Sequence, residues 1–177
     1  MAIINKTNFF YGAFLDYIIC NGVKEPTLFD SPDDSRILKF SLRNKDYKIY
    51  IKYTTSGTDR TKKEIKNVGK QVRYTRWSVP FSNAERDFLV DSFSEEEKEN
   101  LVVLVCTNKN LSDTYFAVLK PDQAIRCLGD DAVNDSRSIT LKKRRTKRTS
   151  YVSCYGTALD ESNAISIEYN IDNVFGF

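Results

Sequence analysis

The sequence predicts a mixed α/β (α+β) fold, a central mixed β-sheet flanked by helices and followed by a C-terminal β-meander. Two patterns predict it. Runs with period-two alternation are interspersed with segments whose apolar residues recur at helical spacing, and one run, LVVLVCT, is apolar throughout, as a strand covered on both faces must be. With 177 residues and 41% apolar composition the chain can bury one hydrophobic core, so residues 1–177 are expected to form a single domain.

The first element is a helix. Phe9, Phe10, Ala13, Phe14, Tyr17 and Ile18 fall on one helical face, Thr7 is placed to cap it, and Asn21-Gly22 is placed to stop it. The stretch FFYGAFLDYIIC is too short to span a bilayer, and Asp16 interrupts it, so an internal helix is expected rather than a leader, with no membrane association. LFDSPDDS is rich in turn-forming residues. RILKFSL and YKIYIKYTT then read as two strands of a hairpin around Arg43-Asn44-Lys45-Asp46. In the second, Tyr47, Ile49, Ile51 and Tyr53 point one way, while Lys48, Tyr50, Lys52 and Thr54 point the other.

Residues 56–76 have almost no apolar periodicity, which predicts a mobile loop. WSVPFS alternates as a strand, and Pro80 confines it to an edge or a strand end. Ser82 with Glu85 spells a capping box for a helix over 83–93, and Ser94 with Glu97 repeats the signal for a short acidic turn. LVVLVCT and TYFAVL follow as strands. Pro121 opens a short helix, PDQAIRCL, that Gly129 closes. RSITLKK, SYVSCYG and AISIEYN complete the meander.

The net charge of +3 says little about partners, but its distribution is uneven. Residues 56–76 hold seven basic and two acidic side chains, and 137–148 hold seven basic and none acidic, whereas 83–136 hold five basic and twelve acidic. Two short basic segments on an otherwise acidic or neutral chain suit an anionic partner. The four cysteines each lie in an apolar run, with no CxxC pair and no histidine in the chain. The common zinc sites are thereby excluded, a cysteine nucleophile lacks its usual base, and four buried, reduced thiols in a cytoplasmic protein are expected. No Walker loop, GxGxxG or GxSxG occurs, which disfavours ATP hydrolysis, dinucleotide binding and serine-triad hydrolysis.

Pro32-Asp33 followed by Asp46-Tyr47-Lys48 spells PD…DxK. Metal-assisted phosphodiester cleavage needs two carboxylates for Mg²⁺ and a lysine beside the attacking water, and an i, i+2 pair on a strand shares one face. Here the chain resembles the PD-(D/E)xK, or restriction-endonuclease-like, family over its first helix and hairpin. The resemblance implies metal ligation by Asp33 and Asp46, with Lys48 as the lysine. The triplet best placed within the strand is Tyr50-Ile51-Lys52, where Lys52 would take that role and tyrosine replaces the second carboxylate, as in a fold that binds without cutting. The resemblance would also suit a role in bacterial defence.

Two basic segments complete the candidates. The first comprises Arg60, Lys62, Lys63, Lys66, Lys70, Arg73 and Arg76, and could continue the Lys48–Tyr50–Lys52 face as a phosphate-binding surface. The second comprises Lys142, Lys143, Arg144, Arg145, Lys147 and Arg148 at the end of a hairpin, a ribbon of the kind that enters a major groove. Each is equally a solvated connection, and such a cluster also protects a strand edge. Trp77, Phe81, Tyr115 and Phe116 are read as core, and Glu95, Glu96, Glu97 and Glu99 as a solvated acidic face.

The expectation is a protein that binds nucleic acid, duplex DNA in particular, through these two segments. Its alternatives are a Mg²⁺-dependent endonuclease using Asp33, Asp46 and Lys48, and a non-catalytic interaction protein that meets an acidic protein partner. Oligomeric state is not legible.

Overall fold

The computed structural model describes residues 6–31, 33, 35–63, 71–108, 114–129, 136–145 and 151–177. The described strands are β1 (Lys24–Asp30), β2 (Arg36–Leu42), β3 (Lys45–Thr54), β4 (Thr58–Lys63), β5 (Gln71–Phe81), β6 (Glu99–Thr107), β7 (Thr114–Leu119), β8 (Arg137–Arg144), β9 (Tyr151–Gly156) and β10 (Ile165–Glu168). All belong to one mixed sheet in the order β1-β2-β3-β6-β7-β10-β9-β8-β5-β4. Only the β3–β6 ladder is parallel, and β8, β9 and β10 form the expected meander. The helices are α1 (Lys6–Cys20), α2 (Asn83–Asp91), α3 (Pro121–Leu128) and a short α4 (Ile171–Phe175). Among the described residues no helix is long and apolar enough to cross a membrane.

Both faces of the central strands are covered, which is why β6 reads as an unbroken apolar run. Leu101, Val103 and Val105 pack with Phe10, Phe14 and Ile18 of α1 and Phe175 of α4. Val102, Leu104 and Cys106 face a second core with Leu89 of α2, Leu128 of α3 and Trp77, Val79 and Ile139 of β5 and β8. That second core is closed because the sheet coils on itself. Strand β5 returns toward the ends of β3 and β6, where the Thr54 and Ser56 hydroxyls donate to the Ser78 carbonyl at 3.2 and 3.0 Å and Trp77 Nε1 donates to the Thr107 carbonyl at 3.1 Å. Gly57 lies in this junction. A Cβ there would stand 2.6 Å from Trp77 Nε1 and 2.9 Å from the Thr107 oxygen, so only glycine lets the chain pass.

Local chemistry sets the boundaries. The Ser82–Glu85 capping box is formed at the start of α2, Pro121 occupies the first turn of α3, and Gly129 follows it with φ +81°. Pro80 lies beyond the reach of β4 and pairs only with Ser138 of β8, as a residue without an N–H requires. Arg43 and Asn44 both have positive φ, forming a two-residue turn that joins Leu42 to its partner Lys45.

Several expectations are corrected. The buried face of α1 is Phe10, Tyr11, Phe14 and Ile18, while Phe9 is 54% exposed and Ala13 is exposed too. Phe10 stacks on Tyr53 at 4.7 Å, and this sets the rotation of the helix. Thr7 lies within the helix and contacts the Tyr53 hydroxyl. The expected loop over 56–76 contains strands β4 and β5. Their ladder, continued on β8, supplies the order that apolar periodicity does not advertise. Cys20 is exposed; Cys106, Cys127 and Cys154 are buried and free.

Candidate nucleic-acid interface

Strand register separates the PD…DxK residues. Asp33 is exposed, with φ +54°, in the connection that leads into β2 at Arg36, which pairs with Ile51. Asp46 pairs with Ser41 at the far end of the same hairpin and accepts a hydrogen bond from its hydroxyl. Asp46 and Ile51 are five steps apart along β3, roughly 17 Å at strand rise. The two carboxylates therefore do not converge. Among the described residues no group of three histidine, cysteine, aspartate or glutamate side chains could hold a metal ion. Asp33 and Asp46, held at opposite ends of the hairpin, do not come together to hold Mg²⁺.

The Lys48–Tyr50–Lys52 face alternates as expected but is buried, which corrects the view of it as a phosphate-binding surface. Lys52 forms an ion pair with Glu85, Tyr50 donates to Glu85 Oε1 at 2.7 Å, and Glu85 Oε2 accepts from the Ser82 N–H at 2.9 Å. One carboxylate thus caps α2 and neutralises a lysine of β3. Burial, with the charge of Glu85 beside it, pushes the Tyr50 hydroxyl far above the usual phenol range. Lys48 has a side chain only 7% exposed, reaches Glu95 Oε1 at 2.9 Å and lies 5.3 Å from the centre of the Phe93 ring. Neither ammonium faces open solvent. The coil of the sheet and the 92–98 connection cover them, which no local pattern announces.

The two basic segments are brought together. Arg60 of β4 pairs with Tyr74 of β5, which pairs on its other side with Arg144 of β8. In the next row on the same face, Thr58, Arg76, Lys142 and Ser153 follow one another across β4, β5, β8 and β9. This face is opposite the one that carries Trp77, Val79, Ile139 and Leu141 into the core, so it is the outer side of the coil. Lys142 lies 4.3 Å above the Tyr74 ring and forms an ion pair with Glu161, and Arg76 lies 5.8 Å from the Tyr155 ring. Burial raises the Tyr155 hydroxyl above its ordinary value, with Arg76 opposing the shift. Tyrosine faces and cations therefore alternate over this surface.

On the inner rim, Asp59 accepts from Thr75 at 2.7 Å and from Arg145 at 2.6 Å, while the Arg145 N–H donates to the Arg73 carbonyl. Lys143 sits against Tyr115 and Tyr169, 3.9 and 4.6 Å from their ring centres. Asp59 and the rings fix two of the cations in place, and Arg73 stays exposed. Lys63, Gln71 and Arg145, which flank the two basic connections, lie at one end of the sheet. Lys66, Lys70, Lys147 and Arg148 lie outside the described residues, and for Lys62 and Lys63 only the backbone, in β4, is described.

Sequence reasoning missed three contributors: Tyr74 between its cations, and Glu85 and Glu95 as the partners of buried lysines. The first has a signal in the alternation of RYTR; the second has only its capping-box spacing. Comparison with protein-family models, with curated proteins and with solved structures finds no match for this chain.

Proposed function

We propose that this protein binds nucleic acid, with duplex DNA as the ligand, along the outer face and common end of the β4–β5 and β8–β9 hairpins. The single observation that carries this is the register that sets Arg60, Tyr74 and Arg144 in one row and Arg76 and Lys142 in the next. Backbone pairing aligns the strands in any case; what supports a surface for a polyanion is that the aligned outer positions are occupied by arginine, lysine and tyrosine. Arginine presents a planar fork to phosphate and lysine a point charge, and both are supported here on aromatic rings.

Binding of a random-sequence duplex, followed by fluorescence anisotropy against salt, tests this. The affinity is expected to fall linearly on a double-logarithmic plot, with a slope of about −0.9 per phosphate neutralised. Absence of binding at low salt would remove the proposal. Binding of an acidic protein in preference to DNA would transfer the same surface to a protein partner.

A further inference from the structure

A second basic cluster lies away from the hairpins, where the β1–β2 ladder slips and the 92–98 connection crosses β2 and β3. Lys39 and Lys48 stand directly opposite each other on β2 and β3. Like charges in that relation destabilise a sheet unless something lies between them. Glu95 does: its Oε1 is 2.7 Å from Lys39 Nζ and 2.9 Å from Lys48 Nζ, and its Oε2 pairs with Lys98. Three ammonium groups share one carboxylate, leaving two positive charges in surplus. A folded chain needs no such excess to seat a single glutamate.

The cluster opens on a cavity of about 720 Å³ whose wall includes Lys39 and Lys98, with Lys24 and Arg43 beyond them and Glu25 and Asp46 as its acidic members. Lys39 and Lys98 are 34% and 27% exposed in their side chains, whereas Lys48 is closed off behind them. An ammonium has three donors, and Glu95 takes one from each. Beside the cavity the β1–β2 ladder slips between Lys24, which pairs with Ser41, and Thr27, which pairs with Lys39, and Glu25 within the slip has φ +50°.

We infer that this cavity is a binding site for a small phosphate-class dianion, held by Lys39 and Lys98 with Arg43 and Lys24 along the wall. Glu95 holds the lysines in place and competes with the ligand for them. The surplus of two charges fits a doubly charged anion, and the carboxylates of Asp46 and Glu25 disfavour large polyanions. The site is distinct from the hairpin surface and does not depend on nucleic-acid binding.

The test is a titration of the full chain with inorganic phosphate at constant ionic strength, with chloride as the reference anion, read by amide NMR shifts. Saturable shifts are expected around residues 24–25, 39–46 and 95–98. Lys98→Ala, at a partly exposed position, should weaken binding at least fivefold, whereas Lys120→Ala, exposed and part of neither surface, should leave it unchanged. Glu95→Gln should tighten it roughly thirtyfold, the effect of removing one negative charge about 4 Å from a dianion in water-like surroundings. No saturable change beyond the chloride control would overturn the inference, as would equal affinity in the Lys98→Ala protein. If Glu95→Gln does not fold, Lys98→Ala alone decides.

Discussion

Tyr74 of β5 and Arg144 of β8 stand directly opposite each other, and Arg60 of β4 faces Tyr74 from its other side. Residues 84 positions apart in the chain are thereby fixed in one row by backbone pairing alone. The relation needs β4, β5 and β8 to be neighbours, and the core beneath them keeps them so. Stability of that core and the recognition proposed for its outer face are consequently separable by mutation.

The Lys52–Glu85 pair is a structural device. Removing one partner leaves an uncompensated buried charge, so Lys52→Met is expected to cost about 3–5 kcal/mol in denaturant unfolding. Lys52→Met with Glu85→Met should recover part of this loss, less about 1 kcal/mol for the missing cap of α2. DNA affinity, measured where the variants are still folded, should be unchanged.

Gly57→Ala tests the coil of the sheet. The new methyl group would displace Trp77 from the Thr107 carbonyl, and overpacking of this kind costs about 1–3 kcal/mol. Trp77 is the only tryptophan, so its fluorescence reports the event directly. A red-shifted emission with a lowered unfolding midpoint is expected.

Much of this architecture was legible in the sequence. The capping box at Ser82 and Glu85, the proline-opened and glycine-closed α3, and the unbroken apolar β6 depend on short-range chemistry, and each forms where its residues predict. What was not legible is tertiary. Strands β4 and β5 carry almost no apolar side chain before Trp77, so nothing local distinguishes them from a loop. Lys48 and Lys52 look like a solvated face until the sheet folds over them. The distance between Asp33 and Asp46 follows from register, which the spacing of a motif does not encode.

Acid stability should carry the signature of Glu95. Hydrogen bonds from Lys39, Lys48 and Lys98 hold its carboxyl far below its ordinary value of 4.5. A depressed folded value stabilises the native state above the unfolded value and loses that contribution as pH falls toward the folded one. Thermal unfolding between about pH 5 and 3 should therefore show a steeper decline for the natural chain than for Glu95→Gln. Parallel profiles would mean that Glu95 adds nothing.

Thiol reactivity should divide the cysteines unequally. Cys20 is exposed and should react with a disulfide reagent at once. Burial pushes the Cys106 thiol upward, and the hydrogen bond with Cys127, whose Sγ lies 3.7 Å away inside the core, together with burial does the same for Cys154. One fast equivalent followed by three that appear only on unfolding is the expected count by mass spectrometry.

The most direct test of the central claim is the salt dependence of duplex binding by the natural chain and by the triple variant Arg60→Ala, Arg76→Ala and Arg144→Ala, compared by anisotropy with circular dichroism confirming the fold. If these two rows are the binding surface, the variant binds weakly and its slope becomes shallower by up to about 2.7. An unchanged slope and affinity in a folded variant would contradict the account.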